Sequence, residues 1–372
     1  MRTEGAAVVW DVVIVGAGLA GLCCARRLQH VGHRVLVLEK SRGLGGRLAT
    51  RRVGDQPIDH GCRFLKPTSP LMVQLIKQLQ ERQVLLPWHP ICYDIADDGR
   101  LEVQSPDDCF VAPHGMTAVA KELVEGLNIR RQTQVVGLQY EDVLEASSKQ
   151  VWTLRIETPV ALTYEPLQSR AVILAVPAPQ ALALLQPIQS QISSAFIQSL
   201  KQVVFNPIIS VMSAYETAPL PANLTKEKQG WSINGNANTP FTWLGLDSSK
   251  RNQSAYSTIV IHSSTQFAES YLQANDLNSA GQDLLKRSSE FLNINLMKPS
   301  WTQTHRWRYA EPITVLGGEL MSEVPLPLAC CGDWCRGADA GAAMESGWQI
   351  AGKIHGYLKS GTANSAISDE LF

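Results

Sequence analysis

A glycine-rich turn close to the N-terminus constrains the fold of this chain more than any other feature. Residues 11–40 read DVVIVGAGLAGLCCARRLQHVGHRVLVLEK: a β-branched apolar run, the turn, a segment with helical periodicity and a second apolar run. This order predicts a strand, a helix and a second strand. Because crossovers of this kind are right-handed and join parallel strands, we expect a parallel α/β sheet to be built on this unit.

The turn has the GxGxxG pattern, and an acidic residue ends the second predicted strand. In dinucleotide-binding folds such a pattern provides a tight turn, close approach of backbone N–H groups to a pyrophosphate, helix packing on the strand, and a carboxylate for ribose hydroxyls. It therefore predicts a dinucleotide site, with a purely structural glycine turn as the alternative. The predicted contacts are Gly16, Ala17, Gly18, Leu19, Ala20, Gly21 and Glu39.

A second glycine cluster follows that strand, in KSRGLGGRLATRR from Lys40 to Arg52. Two adjacent glycines let the main chain approach a phosphate, and the arginine after them offers a forked cation. Two loops that close on one pyrophosphate suit a cofactor that stays bound, which favours FAD over NAD. The predicted contacts are Lys40, Arg42, Gly45, Gly46 and Arg47, whereas for Arg51 and Arg52 we prefer a solvated basic loop.

The segment CCGDWCRGADAGAAMESG, near the C-terminus, matches the other end of such a cofactor. An aspartate after a strand and a glycine can accept hydrogen bonds from ribityl hydroxyls. A helix beginning near Ala342 would direct its N-terminal N–H groups at the pyrimidine edge of a flavin and stabilise negative charge there by about 0.3–2 kcal/mol. The predicted contacts are Gly332, Asp333, Gly341, Ala342, Ala343 and Met344, with a plain loop-to-helix junction as the alternative.

The rest of the chain supplies further elements. Helices are predicted in SPLMVQLIKQLQERQVL, with Ser69 and Pro70 at its start, and in GMTAVAKELVEGL. IRRQTQVVGLQY, QVWTLRIET and RAVILAVP are strand-like and predict an antiparallel meander. From about residue 190 to 322 the pattern indicates short strands and one long helix, ESYLQANDLNSAGQDLLKRSSEFL.

Charge and composition exclude several classes of function. The 33 basic and 34 acidic residues leave a net charge of -1, which is not typical of nucleic-acid or membrane-surface binding and favours a small-molecule partner. Pro177 and Pro179 interrupt the apolar run AVILAVPAPQALALL, which is shorter than the roughly 20 residues that span a bilayer. The eight cysteines contain no CxxC pair and predict reduced thiols, a cytoplasmic location and no metal site.

Several motifs together carry a resemblance to a known family. The chain resembles the renalase family of flavoproteins, within the amine oxidase and p-hydroxybenzoate hydroxylase-like group. The similar motifs occur in order from about residue 11 to residue 357: EKSRGLGGRLATRR, IDHG, GMTAVAKEL, AVPAPQALALL, TWLGLDSSK, IHSSTQFAESYL, HRWRYA and GDWCRGADAGAAMESG.

The resemblance implies an α/β fold in which an antiparallel-sheet and helix substrate domain is inserted into a Rossmann-like FAD-binding domain, as in p-hydroxybenzoate hydroxylase. We expect the FAD-binding domain at 8–80, 110–188 and 323–360, and the substrate domain at 81–109 and 189–322. The resemblance also implies non-covalent FAD and hydride transfer to it from isomers of reduced nicotinamide dinucleotides, NAD(P)H. Dioxygen would then accept the electrons and give hydrogen peroxide.

The resemblance also assigns residues. FAD contacts are implied at Gly18, Glu39, Arg47 and Asp333, at Val135 or Val136 beside the adenine, and at Asp59 and Gly61 of IDHG. Candidates for the substrate pocket are His262, Trp243, Trp307 and Tyr309, with a strand histidine and core aromatics as the alternatives. In HRWRYA, strand alternation places Arg306 and Arg308 on one face, and His305, Trp307 and Tyr309 on the other.

One segment departs from the family pattern. After IDHG the family continues Ala-Gln-Tyr-Phe, whereas this chain has Cys62, Arg63, Phe64 and Leu65. Two other functions therefore stay open: an amine oxidase or desaturase-like flavoenzyme, and a non-catalytic flavin-binding redox regulator. For the buried-type pair Cys330 and Cys331 we expect no covalent flavin link.

Overall fold

A computed structural model describes residues 8–105, 107–142, 150–159, 166–217, 219, 230–251, 254–322 and 326–360. Its strands are β1 (Val9–Val15), β2 (Val35–Glu39), β3 (Thr50–Val53), β4 (Gln56–Asp59), β5 (Leu86–Trp88), β6 (Ile91–Ile95), β7 (Leu101–Val103), β8 (Cys109–Val111), β9 (Asn128–Arg131), β10 (Gln134–Asp142), β11 (Gln150–Glu157), β12 (Leu167–Leu174), β13 (Phe205–Tyr215), β14 (Trp231–Asn234), β15 (Phe241–Leu246), β16 (Ser257–Ser263), β17 (Trp301–Pro312), β18 (Leu320–Met321) and β19 (Leu328–Cys330). Its α-helices are α1 (Leu19–His30), α2 (Pro70–Glu81), α3 (Thr117–Leu123), α4 (Ala178–Leu185), α5 (Ser194–Gln202), α6 (Thr265–Ser270), α7 (Asn278–Leu292) and α8 (Ala340–Ser360).

The chain forms two compact units, and each is discontinuous in sequence. Unit 1 comprises Met1–Gly46, Ala120–Val204 and Pro312–Phe372, and unit 2 comprises Arg47–Val119 and Phe205–Glu311. These boundaries differ from the expected domains, because 47–80 and 110–119 pack within unit 2, whereas 189–204 and 312–322 pack within unit 1. The β3–β4 hairpin is joined by ion pairs to the segment after β15, and α5 packs on α4.

The sheet of unit 1 has the predicted parallel core. Strand order is β10-β11-β12-β1-β2-β9, and β19, itself paired with β18, also adds to β12. β1 pairs in parallel with β2 and β12, and β12 with β19, so the predicted βαβ unit is confirmed. Every residue of β2 is buried, as expected for a parallel strand covered on both faces.

The predicted antiparallel meander is correct only in part. β10, β11 and β12 pair antiparallel, but β12 also pairs in parallel with β1. The predicted single strand IRRQTQVVGLQY is two strands, because Gln132 adopts φ 52° and turns the chain between β9 and β10. β9 then pairs in parallel with β2.

The predicted helix at α2 is confirmed, whereas the long helix predicted in unit 2 is wrong. The Ser69 hydroxyl accepts a hydrogen bond from the Met72 N–H at 3.2 Å, and Pro70 opens the helix. The single long helix predicted from Glu269 to Leu292 is two helices, α6 and α7, since Asp276 Oδ1 accepts from the Asn278 N–H and starts a new helix there. Over the described ranges, no helix combines the length and apolar character needed to cross a membrane.

The main sheet of unit 2 has the order β17-β13-β16-β15-β14-β6-β7. It is mostly antiparallel, although β14 and β6 pair in parallel. Its strands are not all short, as β13 has 11 residues and β17 has 12. On one face, which we call the helix face, Ile209, Ile259, Ile261 and Leu244 form a core with Phe267, Leu284 and Leu285 of α6 and α7.

The opposite face of this sheet holds the predicted substrate residues. His262 pairs with Ser210 and with Trp243 across neighbouring strands, so these side chains lie on the face opposite to Ile261. On β17, Thr304 contacts Gly281 of α7 and belongs to the helix face. Alternation therefore places His305, Trp307 and Tyr309 on the same face as His262 and Trp243; we call this the hairpin face.

Candidate functional site

The three glycines of the turn in unit 1 differ in the space in front of them. At Gly16 (φ 109°) a Cβ would lie 2.5 Å from the Ala175 carbonyl oxygen, and at Gly21 it would lie 2.1 Å from the Gly16 carbonyl oxygen. These two glycines allow strand, turn and helix to pack. At Gly18, a Cβ would meet no protein atom within 4 Å, so open space lies in front of the first residue of the helix turn.

The second glycine loop is bonded directly to the first. The Gly45 N–H donates to the Ala17 carbonyl at 2.8 Å, and Gly18 and Gly45 form a parallel bridge. Gly46 (φ 55°) approaches Gly18 so closely that a Cβ there would lie 3.4 Å from the Gly18 Cα. The two loops thus form one cradle of main-chain atoms around the N-terminus of α1, where no side chain caps the helix.

Glu39 connects this cradle to the sheet. Its Oε2 accepts from the Ala17 N–H at 2.9 Å and its Oε1 accepts from the Ser41 N–H at 2.8 Å. Each carboxylate oxygen has a second lone pair for a ligand hydroxyl. Lys40 and Arg42 are exposed, and Val135 is buried beside an irregularity in the β10–β11 pairing while Val136 is partly exposed.

The C-terminal loop of unit 1 surrounds a buried aspartate. Asp333 is 2% exposed, and its carbonyl accepts from the Arg336 and Gly337 N–H groups at 2.8 Å each. A Cβ at Gly332 would lie 2.4 Å from Trp334 Nε1. The loop is anchored by Glu319, which pairs with Arg336 and, at 3.5 Å, with Lys353 of α8.

Helix α8 begins at Ala340, two residues earlier than predicted. The Ala342 N–H already donates to Asp339 Oδ1 at 2.7 Å, so this N–H is used within the protein rather than kept for a ligand. Gly341 and Met344 are buried, whereas Ala342 and Ala343 are partly exposed.

The cysteines around this loop are unreactive. All eight cysteines of the chain are free thiols. Burial raises the pKa of Cys330 and of Cys331 well above the ordinary thiol value, so both stay protonated. A protonated, fully buried thiol is a poor nucleophile.

Arg47 opens unit 2 and is tied to β17. Its guanidinium donates to the Ala310 carbonyl at 2.8 Å, and its own carbonyl accepts from the Cys62 N–H at 2.6 Å. Gly61 permits this approach, because a Cβ there would lie 2.1 Å from the Arg47 carbonyl oxygen. Gly61 therefore has a packing role.

Asp59 lies in a fully buried ion network rather than at a surface open to a cofactor. Its carboxylate accepts from Thr50 Oγ1 (2.7 Å), the Met116 N–H (2.8 Å), Lys250 Nζ (3.3 Å) and Arg251 (3.3 Å). These four protein donors occupy the acceptor sites of the carboxylate. The FAD contact at Asp59 stays a prediction, and the contacts that the structure gives this carboxylate are structural.

Asp247 completes this network. It contacts Lys250 at 2.7 Å and Arg251 at 2.8 Å, and the side chains are at most 5% exposed. Burial acts to raise the pKa of Asp247, but the nearby Lys250 and Arg251 outweigh it and hold that pKa below the ordinary value. Two carboxylates and two cations are therefore buried as a neutral set, which we call the ion network.

The hairpin face carries a cluster of histidines and tryptophan. The His60 ring stacks on Trp307 with 5.5 Å between centroids and meets His305 edge to face at 4.9 Å. His305 and Trp307 are 4.4 Å apart, and Trp307 Nε1 donates to the His60 carbonyl at 2.9 Å. His262 lies close enough to His60 for the His60 ring to contribute to lowering the pKa of His262. We call His60, His262, His305 and Trp307 the histidine cluster.

The histidines of the cluster are neutral at physiological pH. Burial, followed by His305 and Arg51, lowers the pKa of His60 to about 3. Burial and Arg63 lower the pKa of His262 well below its ordinary value, and burial with Arg51 and Arg306 lowers that of His305. His60 Nδ1 and His262 Nε2 are buried and have no hydrogen-bond partner among the described residues.

The structure brings the four predicted substrate residues onto one face but gives them different exposure. Trp307 and Tyr309 are partly exposed, and Tyr309 meets Phe205 edge to face at 5.6 Å. Trp243 is 1% exposed, packs on Gly245 and carries Arg63 over its ring at 5.2 Å. The substrate contact at Trp243 stays a prediction, and the contacts that the structure gives this ring are packing contacts with Gly245 and Arg63.

Sequence reasoning missed the ion network, His60 as a cluster member, and Arg63 as a cation on the hairpin face. IDHG and DSSK are both short motifs in which an acidic residue has a basic residue nearby. Their aspartates, Asp59 and Asp247, are 188 residues apart in the sequence. Their pairing is visible only in the fold.

Comparisons with known proteins agree with this geometry. Residues 14–79 match the family described as NAD(P)-binding Rossmann-like domain, and residues 81–355 match the family described as flavin containing amine oxidoreductase. The second match covers well over half of the chain. The chain belongs to the flavin containing amine oxidoreductase family.

Single relatives refine this assignment. Mouse renalase is 24% identical over 363 residues, 93% of this chain and 99% of renalase. A putative flavin-containing monoamine oxidase of Mycobacterium tuberculosis, AofH, is 48% identical over 69 residues, a match that covers 18% of this chain and only 15% of AofH. Renalase-like similarity thus extends along the chain, whereas the similarity to AofH is local.

A solved structure shares the fold. Wild-type putrescine oxidase bound to putrescine superimposes with a TM-score of 0.70 at 14% identity, over 94% of this chain and 99% of that one. Together with the family match, the protein is an FAD-dependent oxidoreductase. The cradle in unit 1 fits this cofactor, because the open space at Gly18 and the uncapped helix α1 provide main-chain N–H groups where a pyrophosphate would be held.

Proposed function

We propose that the protein is an oxidase that transfers a hydride from an isomeric dihydronicotinamide dinucleotide to non-covalently bound FAD. When bound, FAD accepts the two electrons and passes them to dioxygen. The balanced reaction consumes the dihydronicotinamide, one O2 and one proton, and gives the nicotinamide cation and H2O2. The renalase-like similarity along 93% of the chain supports this substrate class.

The residues that would hold FAD follow from unit 1. We infer that the main-chain N–H groups of Gly18 and Gly46 bind the pyrophosphate, that Glu39 accepts from ribose hydroxyls, and that Asp333 accepts from the ribityl chain. Arg47, directly after Gly46, adds a cation for the phosphates. The remaining predicted contacts stay predictions.

The observation that carries the substrate proposal is the charge of the hairpin face. Asp59 and Asp247, the buried carboxylates of the described part of unit 2, are neutralised by Lys250 and Arg251. The Trp243 ring, which could attract an ammonium group, already carries Arg63. Strand alternation also places the partly exposed Glu311 on this face, where its charge acts on Arg63. With the two cations Arg51 and Arg63 beside one carboxylate, an anionic nucleotide finds more favourable charge than a protonated amine.

Neutral histidines also fit this chemistry. Hydride transfer from a dihydropyridine needs no general base, only orientation of the donor carbon and exclusion of water. The unpartnered His60 Nδ1 and His262 Nε2 can each form a hydrogen bond to a polar group such as a carboxamide. Stacking on Trp307 can orient a flat ring.

Anaerobic mixing tests the proposal. The purified yellow protein is mixed without oxygen with isomerised NADH, with NADH, and with putrescine and benzylamine as controls, and the oxidised flavin band is followed. We expect the isomers to bleach the band within seconds, and admission of air to restore it with one H2O2 per substrate. Bleaching by the amines alone would favour the amine oxidase alternative, and no bleaching by any reductant would favour a regulator.

Two further expectations belong to this proposal. Acid precipitation of the protein should release all of the flavin into solution, since the buried thiols of Cys330 and Cys331 cannot form the link. The reduced thiols also support a cytoplasmic location.

A further inference from the structure

The β3–β4 hairpin of unit 2 presents two faces with opposite functions. Thr50 pairs with Asp59 across the hairpin, and both side chains point to the ion network. Arg51 pairs with Ile58, so its side chain lies on the other face, and His60 follows two residues after Ile58 on that same face. The fold thus places Arg51 beside the histidine cluster.

Unlike Lys250 and Arg251, Arg51 forms no ion pair with a carboxylate among the described residues. Lys250 and Arg251 are paired with Asp59 and Asp247. Arg51 Nε is buried and has no hydrogen-bond partner among the described residues. A buried guanidinium N–H without an acceptor is unfavourable, so a ligand that supplies an acceptor would satisfy it.

The groups that face Arg51 suit an anion. His60 and His305 are close enough to Arg51 for its charge to lower their pKa, and both are uncharged. Neutral rings at this position neither compensate the Arg51 charge nor repel an anion. Arg52, the next residue, is exposed and donates to the His114 carbonyl, as expected of a solvated loop.

We propose that Arg51 binds a phosphate group of the substrate and makes the enzyme selective for anionic dihydronicotinamides. This inference rests on the proposed function for the identity of the substrate. It corrects the sequence-based interpretation of Arg51 as part of a solvated basic loop. Phosphate oxygens would accept from the guanidinium fork while the nicotinamide ring reaches Trp307 and His60.

The test compares two substrates that differ by one phosphate. Isomerised reduced nicotinamide mononucleotide and the corresponding reduced riboside are assayed with the holoenzyme, Arg51→Gln, Arg51→Lys and, as matched control, Arg52→Gln. We expect Arg51→Gln to raise KM for the mononucleotide about 10- to 100-fold, since charge-assisted hydrogen bonds of this kind are lost. The riboside should change less than about twofold, Arg51→Lys should recover part of the loss, and Arg52→Gln should behave as wild type.

A second measurement does not depend on turnover. Calorimetric titration of the oxidised holoenzyme with nicotinamide mononucleotide and nicotinamide riboside should show a preference for the phosphate-bearing compound that Arg51→Gln removes. If no dihydronicotinamide is oxidised but this preference is present and Arg51-dependent, the proposed function fails and the anion site stands. Three results would overturn the inference. They are an equal loss of affinity for both compounds in Arg51→Gln, no preference for the phosphate-bearing compound in the wild type, and loss of FAD from Arg51→Gln without a change in selectivity.

Discussion

The glycine cradle of unit 1 and the β3–β4 hairpin of unit 2 satisfy buried acidic groups in different ways. In unit 1, Glu39 accepts from the main-chain N–H groups of Ala17 and Ser41. In unit 2, Asp59 and Asp247 are held mainly by the charged side chains of Lys250 and Arg251. The path of the backbone fixes the positions of the main-chain donors. The charge balance of the ion network, in contrast, depends on each of its four side chains.

This difference predicts how each region fails. Loss of one charge in the ion network leaves another charge buried and unpaired. In the cradle, the sensitive feature is space, because Gly16 and Gly21 contact backbone atoms that cannot move aside. A substitution should therefore affect unit 2 through electrostatics and unit 1 through steric overlap.

The largest effect is expected for Lys250→Met. It removes one cation from two buried carboxylates and should lower the free energy of unfolding by about 3–5 kcal/mol. Lys66→Met is the matched control, because Lys66 and Asp107 form an exposed pair, 41% and 61% accessible, whose loss should change stability by less than about 1 kcal/mol. Urea unfolding of both variants measures this; equal destabilisation would contradict the ion network.

An intermediate effect is expected for Gly21→Ala. Its Cβ would overlap the Gly16 carbonyl, which should destabilise the protein by about 3 kcal/mol and release FAD. Gly18→Ala is the sharper comparison, because its Cβ meets no protein atom and φ is -75°. We expect it to keep the apoprotein melting temperature but to weaken FAD binding, measured by flavin fluorescence. Unchanged FAD affinity in Gly18→Ala would argue against a pyrophosphate at this position.

The smallest effect at neutral pH is expected at His60, where the substitution changes the pH dependence of stability. The pKa of His60 is about 3 in the folded protein, below the ordinary 6.5, so the unfolded chain binds a proton between these values and the native protein does not. Stability should therefore fall as pH decreases from about 6.5 towards 3, and His60→Gln should reduce this slope by about 1.4 kcal/mol per pH unit. Urea midpoints at several pH values measure the slope.

A second variant controls for the loss of any histidine side chain in that experiment. His89→Gln removes an exposed histidine before β6. It should keep the wild-type slope. If His60→Gln also keeps that slope, His60 is not buried in its neutral form.

Local patterns were sufficient for the βαβ unit that begins the nucleotide-binding unit. GxGxxG between two apolar runs, with Glu39 at the end of the second, determines a strand, a helix and a strand through steric and hydrogen-bonding rules that act within 30 residues. The N-cap at Ser69 is equally local. These predictions are confirmed because no distant contact competes with them.

Tertiary structure decided the rest. The long predicted helix is divided at Asp276, and one predicted strand is divided at Gln132, because turns there allow packing and pairing that periodicity does not record. Sequence alone assigned Asp59 to the cofactor and Arg51 to solvent. Only the fold shows what these side chains face, since strand pairing directs Asp59 towards Lys250 and Arg251, which follow it by nearly 200 residues, and Arg51 towards His60 and His305. The partners of a side chain depend on which face of a strand it occupies and on which elements pack against that face. Only the folded chain determines which elements those are.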